Sequence, residues 1–136
     1  DGSVSRNTYN AIDKVETSTD ALGRVTRYEY NARGEETAVI HPDGARESTV
    51  YDPEGNEIAR TDRAGRTTRM VYDAANRLIE TIYPDATPDD ADNPRTRSEY
   101  DAAGQLIASI DERGGRTSYR YDLAGRQIEV RNALNE

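Results

Sequence analysis

The sequence predicts an all-β fold, an array of antiparallel β-hairpins that form a curved or spiralling sheet. Three features favour this class: a tyrosine that recurs along the chain, a turn signal after each tyrosine, and alternation of side-chain character between turns. Successive anchor tyrosines are 21, 21, 21, 28 and 21 residues apart. A fixed period of this length is typical of repeat architectures. The anchors are Tyr9, Tyr30, Tyr51, Tyr72, Tyr100 and Tyr121.

The segment after each anchor tyrosine predicts a three-residue hairpin loop. In the third copy, Pro53 follows Asp52 and suits the second position of a type I turn, where its fixed φ is already correct. Gly55 then stands where the chain must enter the left-handed region to form a bulge. The Asp52 carboxylate can accept hydrogen bonds from backbone N–H groups inside the turn. The equivalent residues elsewhere are Asn10, Asp13, Asn31, Gly34, Asp73, Asn76, Asp101, Gly104, Asp122 and Gly125.

A second series of turns lies between the first. Its members begin at Asp20, His41, Asp62 and Asp111, and each ends in a glycine seven residues before the next anchor tyrosine. Each repeat is therefore predicted to hold two strands and two turns. In the third repeat the expected order is loop 53–55, strand 56–62, loop 63–65 and strand 66–73.

Alternation along these strands fits a pleated sheet better than a helix. Within 66–72, one face is expected to carry Thr68, Met70 and Tyr72, and the other Thr67, Arg69 and Val71. If successive repeats stack in register, the anchor tyrosines form a ladder of packed rings across the sheet. That ladder is the predicted main source of cohesion.

The whole chain, 1–136, is interpreted as a single array of six copies. The longer spacing between Tyr72 and Tyr100 indicates a seven-residue insertion in segment 84–95, which should project as an exposed loop. The pattern is already running at Tyr9 and still running at Ile128, and terminal repeats normally need polar caps. We therefore expect an excerpt of a longer protein.

Composition disfavours several classes of partner and excludes sites that need cysteine. The formal net charge is −8, which disfavours nucleic acid and anionic membrane surfaces, because both are bound through lysine and arginine. The chain has no cysteine, so disulfides, zinc–thiolate sites and cysteine nucleophiles are absent. No apolar run is long enough to cross a bilayer, so membrane insertion by this segment is not expected.

One acidic loop is a candidate calcium site. Asp85, Asp89, Asp90 and Asp92 could offer oxygen ligands to Ca²⁺. Their spacing lacks the EF-hand order of ligands and its glycine, and three prolines stiffen the segment. A solvated acidic loop without metal is the preferred interpretation.

Nothing in the sequence predicts catalysis, and no cofactor is expected. His41 is the only histidine, and it stands at the first position of a Pro-Asp-Gly turn without a nucleophile motif beside it. No glycine-rich phosphate-binding loop joins a strand to a helix. The Tyr-Asp pairs could also serve as sugar-stacking platforms with hydrogen-bonding carboxylates, but their regularity favours a structural role in turns.

The recurring motifs resemble the YD repeat of the Rhs family. The resemblance rests on Tyr-Asp-x-x-Gly at residues 51–55, 100–104 and 121–125, on Tyr72-Asp73-x-x-Asn76, and on the Pro-Asp-Gly turn at residues 42–44. It covers essentially the whole chain. The departures are Asn10 and Asn31 for Asp, Asp13 and Asn76 for Gly, Glu16 in the first copy, and the insertion.

The resemblance implies a strip of hairpins that closes into a hollow shell. In bacterial Rhs toxins and insecticidal toxin complexes such a shell encloses a C-terminal toxin domain, and similar repeats in teneurins form an extracellular barrel. By this resemblance we expect a non-enzymatic shell segment of a secreted or cell-surface bacterial protein. Its expected partners are flanking YD repeats and an encapsulated toxin domain. The alternative is a carbohydrate-binding or adhesion module at a bacterial surface.

Overall fold

The computed structural model describes residues 4–87, 91–132 and 134. These residues form β-strands and turns, and none of them lies in a helix. No helix in the described part of the chain therefore has the length and apolar character needed to cross a bilayer. The predicted all-β class and the array of antiparallel hairpins are confirmed, whereas the predicted curvature stays a prediction.

The chain divides into two compact units, residues 1–67 and 68–136. In the first unit each strand pairs antiparallel with the next one in sequence. Its strands are β1 (Arg6–Tyr9), β2 (Val15–Thr19), β3 (Val25–Tyr30), β4 (Glu36–Ile40), β5 (Arg46–Tyr51) and β6 (Glu57–Thr61).

The second unit follows the same plan, with sequential antiparallel pairing. Its strands are β7 (Thr67–Tyr72), β8 (Leu78–Ile82), β9 (Arg95–Tyr100), β10 (Leu106–Ile110), β11 (Arg116–Tyr121) and β12 (Gln127–Arg131). That the two units act as one continuous array stays a prediction.

The strands are shorter than the sequence predicted. The segment expected as 56–62 is Glu57–Thr61, and the segment expected as 66–73 is Thr67–Tyr72. The flanking residues close the turns instead: Asp52 N–H donates to the Asn56 carbonyl at 2.9 Å, and Asp62 N–H donates to the Arg66 carbonyl at 2.9 Å. The register also shifts next to each anchor tyrosine, as between Val50 and Tyr51.

Very little of the chain is deeply buried. The buried apolar residues are Ala38 and Ala108, at 2% and 0% exposure, and no large side chain among the described residues is fully buried. The usual sandwich core between two sheets is absent from these residues. Cohesion therefore depends on the strand ladders, the turns and the side chains that cross from strand to strand.

Candidate functional site

The turns after the anchor tyrosines share one geometry. After Tyr51, the Gly55 N–H donates to the Asp52 carbonyl at 3.1 Å, and Gly55 has a φ of 95°. In the two copies without glycine, Asp13 and Asn76 take the left-handed conformation, with φ of 57° and 58°. Asn and Asp are among the non-glycine residues that tolerate this region best. Each copy therefore adopts the same turn conformation, whether this position holds Gly, Asp or Asn.

The side chain of the first turn residue completes each turn. The Asp52 Oδ1 accepts hydrogen bonds from the backbone N–H groups of Glu54 at 3.0 Å and Asn56 at 2.8 Å. These contacts satisfy two donors that the turn leaves without a backbone partner. The same pair of bonds is made by Asn10, Asp20, Asn31, Asp62, Asp73, Asp101, Asp111 and Asp122.

The residue four positions later also contacts this carboxylate, and sequence reasoning missed it. The Arg77 Nε donates to Asp73 Oδ2 at 2.7 Å. In the second copy the polarity is reversed, because Asn31 Nδ2 donates to Glu35 Oε2 at 2.6 Å. The available signal was a side-chain donor four residues after Asp in six of the turns, and an acceptor, Glu35, four residues after Asn31. Asp–donor pairs are also made at Asp20–Arg24, Asp52–Asn56, Asp62–Arg66, Asp101–Gln105 and Asp122–Arg126.

Four of the anchor tyrosines hydrogen-bond to the preceding strand. The Tyr30 hydroxyl donates to the Val15 carbonyl at 2.9 Å, and the Tyr121 hydroxyl donates to the Leu106 carbonyl at 2.9 Å. In each case the acceptor is the first residue of the neighbouring strand. Tyr51 and Tyr100 make the equivalent bonds to Glu36 and Leu78, at 3.1 and 3.2 Å.

Each of these four tyrosines therefore spans a strand pair. Burial raises the pKa of the Tyr30 hydroxyl. The Arg77 guanidinium also lies 4.7 Å from the Tyr100 ring centroid, which adds a cation–π contact. The predicted ring-on-ring ladder stays a prediction.

Removing one tyrosine hydroxyl is expected to cost a single hydrogen bond. We expect Tyr121→Phe to lower the free energy of unfolding by about 0.5–1.5 kcal/mol, because the Leu106 carbonyl loses its tyrosine donor while the ring stays. Urea unfolding of the two chains measures the difference. Tyr121→Leu, which also removes the ring, should cost more. Equal stability of the phenylalanine variant and the parent would contradict a role for the hydroxyl.

Some arginines join one turn to the next along the same margin. In the first unit the Arg33 guanidinium donates to the backbone carbonyls of Asp52 and Pro53, the first of these at 2.6 Å. In the second unit Arg77 Nη1 donates to the Asp101 carbonyl at 3.2 Å. These bonds link consecutive repeats at two places along the chain.

Neighbouring hydrogen-bond donors lower the pKa of several turn carboxylates. The Arg77 side chain, together with its backbone N–H, lowers the pKa of Asp73. The Asn56 side chain does the same for the pKa of Asp52, with further help from backbone N–H groups. Between strands, Arg46 lowers the pKa of Glu29 and Arg116 lowers that of Glu99.

Acid is therefore expected to destabilise the fold. A carboxyl whose folded pKa lies below its unfolded value stabilises the fold above the unfolded pKa, which is about 3.9 for Asp. That stability is lost as the pH falls through the depressed folded pKa. We expect the thermal unfolding midpoint to fall as the pH is lowered below the unfolded pKa of about 3.9 and towards the depressed folded pKa. Asp73→Asn, which keeps the Oδ1 acceptor, should show a smaller fall; an identical pH profile would contradict the assignment.

His41 occupies the first position of a turn. Its backbone N–H donates to the Ala45 carbonyl at 2.8 Å, and its carbonyl accepts from Gly44 N–H at 2.9 Å. The ring Nε2 lies 2.8 Å from Glu47 Oε1. In this copy Asp43, two residues on, supplies the carboxylate that accepts the Ala45 N–H at 3.0 Å. The histidine thus takes the place that Asp holds in neighbouring turns.

The candidate calcium loop is only partly described. Asp85 Oδ1 accepts from the Thr87 N–H and hydroxyl, at 2.7 and 2.8 Å, and the same hydroxyl lies 3.2 Å from Asp92 Oδ1. Asp89 and Asp90 lie outside the described residues. Among the residues that the structure describes, no three acidic, histidine or cysteine side chains gather as a metal site would require.

Comparison with known proteins connects these turns to one family. A family model described as RHS Repeat matches residues 9–46, 51–88 and 100–136. The crystal structure of TcdB2-TccC3-TEV matches 93% of this chain with a TM-score of 0.68 at 15% sequence identity. A Tc holotoxin pore from Photorhabdus luminescens matches 94% with a TM-score of 0.63 at 16% identity. The chain spans 8% and 9% of those chains, and the likeness shows a shared fold.

Proposed function

Because this chain belongs to the RHS Repeat family, we propose that it is a non-catalytic wall segment of a shell that encloses a C-terminal toxin domain. The parent would be a secreted bacterial protein, and the segment's partners would be neighbouring repeats and the enclosed domain. Support for the shell comes from the similarity in fold to toxin-complex structures, one of which is named as lacking a hypervariable C-terminal region.

The proposal rests on one observation. The polar groups that recur in the repeats make their hydrogen bonds within the sheet and its turns. The Asp73 carboxylate accepts from two backbone N–H groups and from Arg77, so its oxygens serve the turn. The Tyr121 hydroxyl donates to the Leu106 carbonyl. Groups engaged in this way hold a wall together and are not presented to a substrate.

The same contacts disfavour the carbohydrate-binding alternative. A sugar-binding platform needs carboxylates and hydroxyls that are free to meet sugar hydroxyls. In four anchor turns the tyrosine hydroxyl already donates to a backbone carbonyl. Incubating the chain on a glycan array tests this directly, and binding that is lost in Tyr121→Ala would favour the alternative.

Protection of the C-terminal domain tests the shell. The full-length protein and its C-terminal domain expressed alone are digested with the same low concentration of trypsin. If the repeats enclose the domain, its peptides should appear much more slowly from the full-length protein. Equal rates of digestion would contradict enclosure and would remove the proposed function.

A further inference from the structure

The second unit has two chemically different sheet faces. The pairings Met70–Thr81–Thr96, Ser98–Ser109–Thr117 and Tyr119–Val130 place these side chains on one side, which we call the neutral face. The opposite side, here the charged face, carries every charged residue of strands β7–β12. These residues are Arg69, Glu80, Arg95, Arg97, Glu99, Arg116, Arg120, Glu129 and Arg131.

The charged face is a network of ion pairs in contact with water. The Arg116 guanidinium holds the Glu99 carboxylate through two bonds, at 2.6 and 2.7 Å, and both side chains are about half exposed, at 48% and 47%. Arg97 Nε donates to Glu80 Oε1 at 2.8 Å. Covering such a face with polypeptide would take these charges out of water, which costs several kcal/mol per ion as an order of magnitude.

The neutral face can be covered without that cost. The paired side chains named above are half-buried threonine, serine, tyrosine and methionine residues, together with the more exposed Val130. Hydroxyl groups donate and accept, so they can pair with the N–H and C=O groups of any peptide backbone. Some already pair within the face, where the Ser109 and Tyr119 hydroxyls lie 3.2 Å apart.

The first unit differs on the corresponding face. There the pairings Val39–Glu47 and Thr49–Arg60 place an acidic and a basic side chain beside Tyr28 and Tyr51. The absence of charged side chains from this face of the strands is therefore a property of the second unit and is not imposed by the repeat.

We propose that the neutral face of strands β7–β12 is the surface against which the enclosed domain lies. This inference rests on the proposed function and specifies which side of the wall meets the cargo. The hydroxyls of this face can pair with backbone groups of the domain, and its apolar side chains can pack against apolar groups, without taking charges out of water. The charged face is the side that remains in water.

Site-specific photo-crosslinking in the full-length protein tests the assignment. A photoreactive amino acid replaces Thr117 on the neutral face or, as the matched control, its neighbour Ser118 on the charged face. Both residues are small and half-buried, so the two variants differ chiefly in the direction of the probe. Mass spectrometry then identifies peptides of the C-terminal domain crosslinked to each position.

Crosslinks to the domain from position 117, several-fold above those from 118, are the expected result. A second adjacent pair, Met70 on the neutral face and Arg69 on the charged face, covers the case in which one variant misfolds. Equal crosslinking from both faces, stronger crosslinking from the charged face, or none from either would overturn the inference. The trypsin experiment separates these outcomes from a failure of enclosure, because a protected domain that does not crosslink leaves the shell intact.

Discussion

Ala108→Leu is expected to destabilise the second unit by about 1–3 kcal/mol, the usual cost of overpacking a filled site. Ala108 is fully buried on the charged face, opposite Glu99 on one neighbouring strand and Ser118 on the other. The Arg116–Glu99 pair joins β11 to β9 across the strand that carries Ala108. A longer side chain at this position would separate the two charged groups.

Urea unfolding of the variant and the parent measures the loss. Ala103→Leu is the matched control, because Ala103 is exposed in a turn and the same change there should have little effect. Ala38→Leu should reproduce the loss in the first unit, where Ala38 is buried beneath the Arg46–Glu29 pair. If Ala108→Leu and Ala103→Leu lower the free energy of unfolding by the same amount, the close packing under the ion pair is not important for stability.

Gly104→Val is expected to cost about 1–2 kcal/mol or more, since residues with a side chain are disfavoured in the left-handed region and β-branched residues most of all. Gly104 has a φ of 86°. The nearest atom to a Cβ built there is Arg77 Nη1 at 3.7 Å, which is ordinary contact. The expected loss therefore comes mainly from the backbone rather than from a steric clash with a neighbour.

Asn76→Gly provides the opposite change at the equivalent position of the preceding repeat. Asn76 has a φ of 58°, so glycine there relieves the small steric cost that asparagine bears. We expect this variant to keep or slightly gain stability in the same unfolding measurement. If the Gly104→Val variant is as stable as the parent protein, the bulge conformation is not required for stability.

The turns could be predicted from the sequence because their determinants are local. Pro53 and Gly55 constrain φ within a few residues, so a periodic Tyr-Asp-x-x-Gly pattern indicates both the turn type and the two-strand repeat. The strand ends were placed one residue too far out, since residues such as Asn56 and Asp62 could belong to either strand or turn. Only the backbone bonds between them decide the question.

Contacts between repeats were harder to predict. Glu29 pairs with Arg46 and Glu99 with Arg116, each 17 residues away on the next strand but one. Many acidic and basic residues occupy similar positions in the sequence, so composition alone does not select partners. The signal that could have found these pairs is their common separation, together with the small alanine on the strand that they cross.

The connection between β8 and β9 shows how an insertion can be accommodated. Residues 83–94 take the place of the five residues that join the equivalent strands, such as 111–115, yet Ile82 still pairs with Arg95 and Thr81 with Thr96. The Tyr83 N–H donates to the Pro94 carbonyl at 2.8 Å and closes the base of the insertion. Foreign peptide grafted between these two residues should leave both strands in place, so this hairpin is a natural site for displaying an epitope or a protease tag.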